Sequence, residues 1–352
     1  IGTGDWSSDV CSSDLRNMTK DILLRAQKNF PLDPKPFQVI ADELGMNEDE
    51  VMSIMQDQKD QKIIRQTSAI FDTKSLGYKS SLVAFEIDED KIDDAVKIIN
   101  AHPGVSHNYE RNHKFNIWFT MAVSPETKLG LDKTIEVLAQ LTNANAFIML
   151  PTLKLFKISV KLDTTGKEAK KEKVVKKEKI EIEMTPLHMN VIKLLQNDIE
   201  IKSEPFEDII KELNISYDKL FEIIDELQKS GMMRRFASIL NHRRAGFNAN
   251  AMVVWDVDEE NGETIGKAAA EFSAVSHCYL RPKYPNWQYN LFTMVHGKTK
   301  EETNAVIDSI ANEIESKSHM PLYSSREFKK IRLTYFTDAQ MIWETKYTEG
   351  KL

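Results

Sequence analysis

Little in this chain could cross-link it or carry it through a membrane. Cysteine occurs twice in 352 residues, as Cys11 and Cys278, which excludes a disulfide framework and a cysteine-based metal site. No run of about 18 uncharged apolar residues occurs, so no membrane-spanning helix is expected. Glycine is sparse, and no Gly-x-Gly-x-x-Gly or P-loop motif opens a helix after a strand, which argues against a nucleotide cradle. Neither a Gly-x-Ser-x-Gly elbow nor a cysteine-nucleophile motif is present. No His-x-x-x-His or Cys-x-x-Cys pair exists, and His107 and His113 are spaced wrongly for neighbouring ligands on one helix, so no protein-held metal is expected. Stripes such as Met232-Met233 and Trp118-Phe119 read as core. Positive charge is in deficit, with 47 Lys and Arg against 54 Asp and Glu, which disfavours coating nucleic acid. What remains, 41% hydrophobic and 29% charged residues, is the composition of a folded cytoplasmic protein of two or three domains.

Two stretches stand apart. Ile1 to Asn17 lacks periodicity, and Asp5 to Leu15 reads like the translation of a sequencing-library adapter. The natural chain is therefore expected to start near Met18, with 1-17 unstructured. Residues 161-183 are a Lys/Glu run that cannot bury a core and reads as an exposed linker. On either side of it the sequence repeats. Pro36-Phe37 returns as Pro205-Phe206, Gly77-Tyr78 as Gly246-Phe247, and Val105-Ser106-His107 as Val275-Ser276-His277. Phe115-Asn116-Ile117 returns as Tyr289-Asn290-Leu291 at a larger offset, so the second half carries a four-residue insertion.

Each half opens with apolar residues at helical spacing around a short turn: Phe37, Ile40, Ala41, Leu44, then Val51, Ile54, Met55. The second half matches with Phe206, Ile209, Ile210, Leu213, then Leu220, Ile223, Ile224, Leu227. Strand signals and helical stretches then alternate as β-α-β-β-α-β. The expected fold is α+β: tandem duplicated units, each a winged helix-turn-helix plus a ferredoxin-like sandwich. The expected boundaries are helix-turn-helix at 18-72 and 184-241, ferredoxin-like domains at 73-160 and 242-340, and a tail at 341-352.

A DNA-reading helix usually carries Arg, Lys, Asn or Gln. The candidate Asn47 to Asp60 instead has Glu48, Asp49, Glu50, Asp57 and Asp60 against Lys59. Its counterpart Ser216 to Lys229 has Asp218, Glu222, Asp225 and Glu226 against Lys219 and Lys229. Acidic helices repel phosphate, so DNA is not an expected partner.

Chemistry gathers in two Ser-His-x-Tyr-x-Arg runs. On a strand, His107, Tyr109 and Arg111 share one face at about 6.5–7 Å spacing, while Ser106, Asn108 and Glu110 face the other way. His277, Tyr279 and Arg281 repeat the pattern. A polar strand face bonded to neighbouring loops would explain one copy; two copies in diverged halves point to a site. Around the second copy lie His242, Arg243, Arg244, His296, Lys329 and Lys330, whereas the first offers His113 and Lys114. Taken singly each cation cluster is a solvated face. Together they suit an anionic ligand with several carboxylates, because Arg pairs with them bidentately and Lys adds a point charge.

The helix-turn-helix plus ferredoxin-like arrangement resembles the leucine-responsive/asparagine-operon regulator superfamily. Within it, GVSHNYER with HKFNIWFT is similar to the first subunit of the siroheme decarboxylase family. FASILNHRRAGFNANAMVVW, VSHCYLRP, YNLFTMVHG and SREFKKIRLTYF are similar to the second. The family forms a heterodimer; here the linker would fuse both subunits into a pseudo-heterodimer. The resemblance implies loss of two acetate carboxyls from siroheme to give 12,18-didecarboxysiroheme, on the way to heme or heme d1. It also implies that the iron arrives with the substrate, so no cofactor of the protein's own is expected. His277 is then the expected proton donor, with Tyr279 and Arg281 holding the acetate. His107, Tyr109 and Arg111 are their counterparts, and His242, Arg243, Arg244, His296, Lys329, Lys330 and His113 are expected to bind carboxylates. The other reading is a ligand-responsive regulator or heme sensor on the same scaffold.

Overall fold

The computed structural model describes residues 7-158, 179-240 and 249-351, with side chains from Asn17 onward. The expected α+β duplication is present along the chain, and in space its segments gather into two compact units. Both helix-turn-helix segments lie in one unit and both ferredoxin-like segments in the other.

The first unit contains α1 (Ser7–Lys28), α2 (Pro36–Leu44), α3 (Glu48–Asp60) and strand β1 (Ile64–Phe71) from the first half. The second half adds α6 (Pro186–Leu195), α7 (Glu207–Leu213), α8 (Tyr217–Lys229) and β7 (Met233–Leu240). Local signals set these boundaries. Pro36 opens α2 and Gly45 closes it in the left-handed conformation (φ 67°), where glycine pays no Cβ penalty. Asn47 and Glu50 form a capping box on α3, and the Ser216 hydroxyl accepts from the Lys219 N–H at the start of α8. The halves then interleave. Strands β1 and β7 pair antiparallel, and Phe30 of one half meets Phe236 of the other with ring centroids 5.8 Å apart, Phe37 packing on Phe30 at 5.5 Å and Phe206 on Phe236 at 5.6 Å. Neither half could bury this aromatic face alone, which is why the two helix-turn-helix segments sit together. Helix α1 also runs back to Ser7, so residues 7-17 are helical rather than unstructured as expected. Asp5 to Lys28 contains no Pro or Gly, and a helix once nucleated propagates readily through such a stretch.

The second unit holds β2 (Lys79–Glu86), α4 (Ile92–Ala101), β3 (Val105–Arg111), β4 (Ile117–Val123), α5 (Gly130–Leu141), β5 (Ala146–Leu150) and β6 (Lys154–Ile158). From the second half come β8 (Ala249–Asp256), α9 (Gly262–Glu271), β9 (Val275–Leu280), β10 (Leu291–Gly297), α10 (Lys300–Glu313), β11 (Ser318–Lys330) and α11 (Ala339–Thr348). Each half gives the expected β-α-β-β-α-β run. The strands form one sheet in the order β5-β2-β4-β3-β11-β8-β10-β9-β6. Strand β11 makes the junction: Ser318 to Tyr323 pair with β8, and Ser324 to Lys330 pair with β3. At the other end β6, from the first half, pairs with β9 of the second. Strands β5 and β6 stand at opposite ends of the order yet only Pro151, Thr152 and Leu153 separate them, a link that reaches about 14 Å at most. The sheet therefore curls back so that its halves face each other. Trp118, Ile148 and Leu150 pack there against Met252, Val254, Phe292 and Leu322 in one buried cluster. The outer faces carry the helices, over one core of Val83, Phe85, Phe119 and Ile135 and another of Val253, Trp255, Val275 and Ile310.

The last residues are not a tail. Helix α11 buries Trp343 in the first-half core, edge-on to the His102 ring at 4.4 Å. Gln340 accepts from the Ser124 N–H at 2.8 Å, and Glu344 accepts from the Thr127 hydroxyl and from the Lys128 N–H. Trp343 and Tyr347, four apart, stack on one side of α11. Its charged remainder hid that stripe from a reading by composition.

Candidate functional site

The two Ser-His-x-Tyr-x-Arg runs are strands β3 and β9. In each, His and Tyr rings stack along one face, with centroids 6.3 Å apart for His107–Tyr109 and 6.1 Å for His277–Tyr279, close to the spacing expected of a strand. Each guanidinium lies over its tyrosine, at 5.5 Å for Arg111 and 4.9 Å for Arg281. Residues between them face the outer cores. Cys278 belongs to the second-half core, and burial pushes its thiol up to about 12, which removes it as a nucleophile.

Strict alternation fails at one point in each strand. Between Val275 and His277 the pairing with β10 skips Ser276, and between Val105 and His107 the pairing with β4 skips Ser106. These are β-bulges, which re-aim a side chain. Ser276 and Ser106 are therefore brought beside the neighbouring imidazoles instead of turning away as expected. Ser276 Oγ stands 2.7 Å from His277 Nδ1, and Ser106 Oγ 3.0 Å from His107 Nδ1. In the second half the contact continues. Ser276 Oγ is 2.5 Å from His296 Nε2, and His296 Nδ1 is 2.8 Å from Asn250 Oδ1.

The two histidine strands come from different halves but share one electrostatic neighbourhood. His277 is lowered to about 4, first by burial and then by the charges of His296 and His107. His296 is lowered by burial and by Lys330. Lys330 sits opposite His107 in the β11–β3 pairing, with Glu327 at 3.8 Å. Two imidazoles from the repeated motif, a third from β10 and one ammonium thus collect on the inner side of the curled sheet. His113 lies further along, its Nδ1 accepting from the Phe115 N–H at 3.0 Å and its ring edge-on to Trp287 at 5.4 Å.

Three sequence expectations need revision or fall outside the described residues. Lys329 is not at the site. A second bulge, between Glu327 and Lys329, puts it opposite Asn108 on the outer face, where its ammonium donates to Asn100 O at 2.7 Å and His102 O at 3.4 Å. There it neutralises the C-terminal end of α4. Arg111 and Arg281 are on the expected strand face but are 6% and 8% exposed. The Nη1 of Arg111 donates to Leu322 O at 2.7 Å, and that of Arg281 donates to Leu150 O. They tie each half to the other's backbone, so the role of gripping an acetate does not follow from their placement. His242, Arg243 and Arg244 lie outside the described residues.

Sequence reasoning missed Ser276, Asn250 and Trp287. The serine was quoted in the motif and assigned to the wrong face. Trp287 lies in the loop that carries the second half's insertion, and packs on Trp118 at 5.3 Å and Phe292 at 6.3 Å. An insertion that adds a tryptophan to the cluster between the facing halves of the sheet was a readable signal.

Comparison with known proteins agrees with this geometry. Residues 75-157 and 244-329 match the AsnC-like ligand binding domain family, and residues 19-65 match the siroheme decarboxylase NirDL-like HTH domain family. The chain is 38% identical to a siroheme decarboxylase of Hydrogenobacter thermophilus over 322 residues, covering 92% of this chain and 96% of that protein. Over 147 residues it is 44% identical to a siroheme decarboxylase beta subunit of Methanosarcina barkeri, covering 42% of this chain and 97% of that subunit. Its fold is similar to the crystal structure of the siroheme decarboxylase NirDL in co-complex with an iron-uroporphyrin III analogue, with a TM-score of 0.79 at 31% identity, covering 95% of this chain and 99% of that one. Full-length similarity, a shared fold and a repeated histidine face between two AsnC-like domains place this chain in the siroheme decarboxylase family.

Proposed function

We propose that the chain is a carboxy-lyase that removes CO2 from two acetate side chains of siroheme, giving 12,18-didecarboxysiroheme on the way to heme or heme d1. The observation that carries this reading is the meeting of His107, His277, His296 and Lys330 on the inner face of one curled sheet. Such a group suits a ligand with many carboxylates, and siroheme has eight. The iron belongs to the substrate, and the protein is not asked for a metal or cofactor of its own. The site is cytoplasmic in this reading; among the described residues no helix is long and apolar enough to cross a membrane.

The chemistry asks for a proton and for charge control. The bond between the acetate CH2 and its carboxylate breaks, CO2 leaves, and the electron pair passes toward the macrocycle. A general acid then protonates the carbon. His277 is the proposed acid. Burial holds it near pKa 4, so it is neutral at pH 7 before substrate arrives. A polyanion bound beside the linked His277 and His296 rings favours one added proton on the pair, since opposite charge favours the protonated form. Tyr279, stacked on His277 and lying under Arg281, presents its hydroxyl on the same face to orient the leaving carboxylate. DNA has no part in this reading, given the acidic first turn of α3.

Anaerobic incubation of the purified chain with siroheme should release two CO2 per siroheme. No release, together with tight duplex DNA binding at physiological salt, would favour the regulator reading. The two adjacent lysines provide an internal control. Lys330→Ala should weaken siroheme binding about tenfold to a hundredfold, the worth of a charge-assisted hydrogen bond of roughly 1.5–3 kcal/mol. Lys329→Ala should leave affinity alone and lower thermal stability. Absorption titrations and melting curves of both variants check this, and equal affinity losses would return Lys329 to the site.

A further inference from the structure

Among the described residues the second half carries a hydrogen-bonded chain with no counterpart at the equivalent positions of the first half. Asn250 on β8, His296 on β10 and Ser276 in the β9 bulge link up and end on His277 Nδ1, with heavy-atom distances of 2.8, 2.5 and 2.7 Å. In the first half Ser106 takes the place of Ser276. The positions of His296 and Asn250, which face each other across β10 and β8, are there held by Ala122 and Ser80, which face each other across β4 and β2. Behind the Ser106 hydroxyl these positions supply neither an imidazole nor an amide.

We infer that Ser276, His296 and Asn250 are positioning residues that tie the protonation of His296 to the tautomer of His277, and so make His277 rather than His107 the proton donor. This rests on the decarboxylase reading for its catalytic meaning, though not for its geometry. The argument is one of proton counting. A serine has one proton, and a neutral imidazole has one. When His296 is neutral, its Nδ1–H donates to Asn250 Oδ1, and its bare Nε2 accepts from the Ser276 hydroxyl. Ser276 Oγ then accepts from His277 Nδ1–H, leaving His277 Nε2 bare. When His296 is protonated, its Nε2–H donates to Ser276 Oγ. The hydroxyl then turns to His277 Nδ1, and the proton of a neutral His277 sits on Nε2.

The second state suits an acid buried where positive charge is costly. The cation rests on His296, whose Asn250 partner is exposed, while His277 Nε2 holds the transferable proton. As Nε2 gives its proton to the substrate carbon, His277 Nδ1 takes the Ser276 proton and Ser276 takes that of His296 Nε2. The chain returns to its first state with His296 neutral, and no imidazolate forms. A solvent proton arriving at His277 Nε2 reverses the shift and recharges the site. Two decarboxylations per siroheme need two protons, so recharging must occur between them. Among the described residues, the charged or titratable groups around this chain are Tyr279 stacked on His277, His107 on β3 and Lys330 on β11, with Glu327 beside Lys330. Carboxylates bound by Lys330 would ease protonation of His296.

The test is the tautomer of His277, read by nitrogen-15 NMR of the histidine rings in the full chain without substrate, across pH 5 to 8. In the parent His277 should change from the Nδ1–H to the Nε2–H form as His296 gains its proton. Ser276→Thr, which keeps a hydroxyl, should retain the change, while Ser276→Ala and His296→Ala should abolish it. A His277 tautomer that is constant with pH in the parent, or that still switches in Ser276→Ala, overturns the inference. Siroheme kinetics give a separate arm. Ser276→Ala and His296→Ala should lower kcat by about tenfold or more with KM little changed, while Ser106→Ala should leave kcat as it is. A parent that shows the tautomer change but no CO2 release defeats the decarboxylase reading alone. CO2 release without the tautomer change defeats only this inference.

Discussion

His277→Ala should bind siroheme with the parent's shifted visible bands yet turn it over about 10²–10⁴-fold more slowly, the usual cost of removing a general acid. The split between retained binding and lost rate follows from where the charges are. Lys330 and the other imidazoles remain to hold carboxylates, while among the described residues only His277 and His296 place an imidazole on the Ser276 hydroxyl. His107→Ala should have the smaller effect, because Ala122 stands where the second half has His296. Single-turnover rates with anaerobic siroheme measure both. A dead His107→Ala beside an unimpaired His277→Ala would reverse the assignment of the halves. Full activity in both would make these histidines structural.

Trp343→Ala should destabilise the protein by about 3–5 kcal/mol, the range for deleting a buried large aromatic side chain. Trp343 is 5% exposed and packs into the core beneath β2 and β4, some two hundred residues earlier in sequence. Its removal also uncovers His102, which burial lowers to about 3. Urea unfolding of the variant, followed by near-ultraviolet signal, gives the loss. Truncation after Asp338 should be at least as damaging. An unchanged midpoint in both would mean that α11 lies on the surface without contributing to it.

How far the sequence led can be judged from single residues. The repeat, the β-α-β-β-α-β order and the shared face of His277, Tyr279 and Arg281 were readable because period-2 alternation and helical spacing are local properties. Ser276 was misplaced because it sits in a bulge, which re-aims a side chain; Lys329 was grouped with Lys330 by charge alone, although neighbours on a strand face opposite ways. Nothing in the run Ser-His-Cys-Tyr announces a bulge, since its cause lies in the strands on either side. Arg281 was expected to meet an acetate, but Leu150 O lies within its reach, a contact 131 residues away in sequence that no motif encodes. The pairing of the two helix-turn-helix segments was likewise hidden. Phe30 and Phe236 each look like ordinary core residues until both halves are seen to share one core.

Strand β11 has a consequence for how the protein is made. Arg111 and Leu322, joined by a hydrogen bond, are 211 residues apart. At about 5–20 residues per second, a ribosome needs roughly 10–40 s to deliver the second after the first. Through that interval the β3 side of the first sheet, with His107 on it, stands without its final neighbour, and open strand edges recruit other chains. Tethering offsets the hazard. Once the second half emerges, it meets β3 at the effective concentration of an attached partner rather than that of a separate subunit. Fusion of the two halves thus acts less on the finished site than on the wait before it closes.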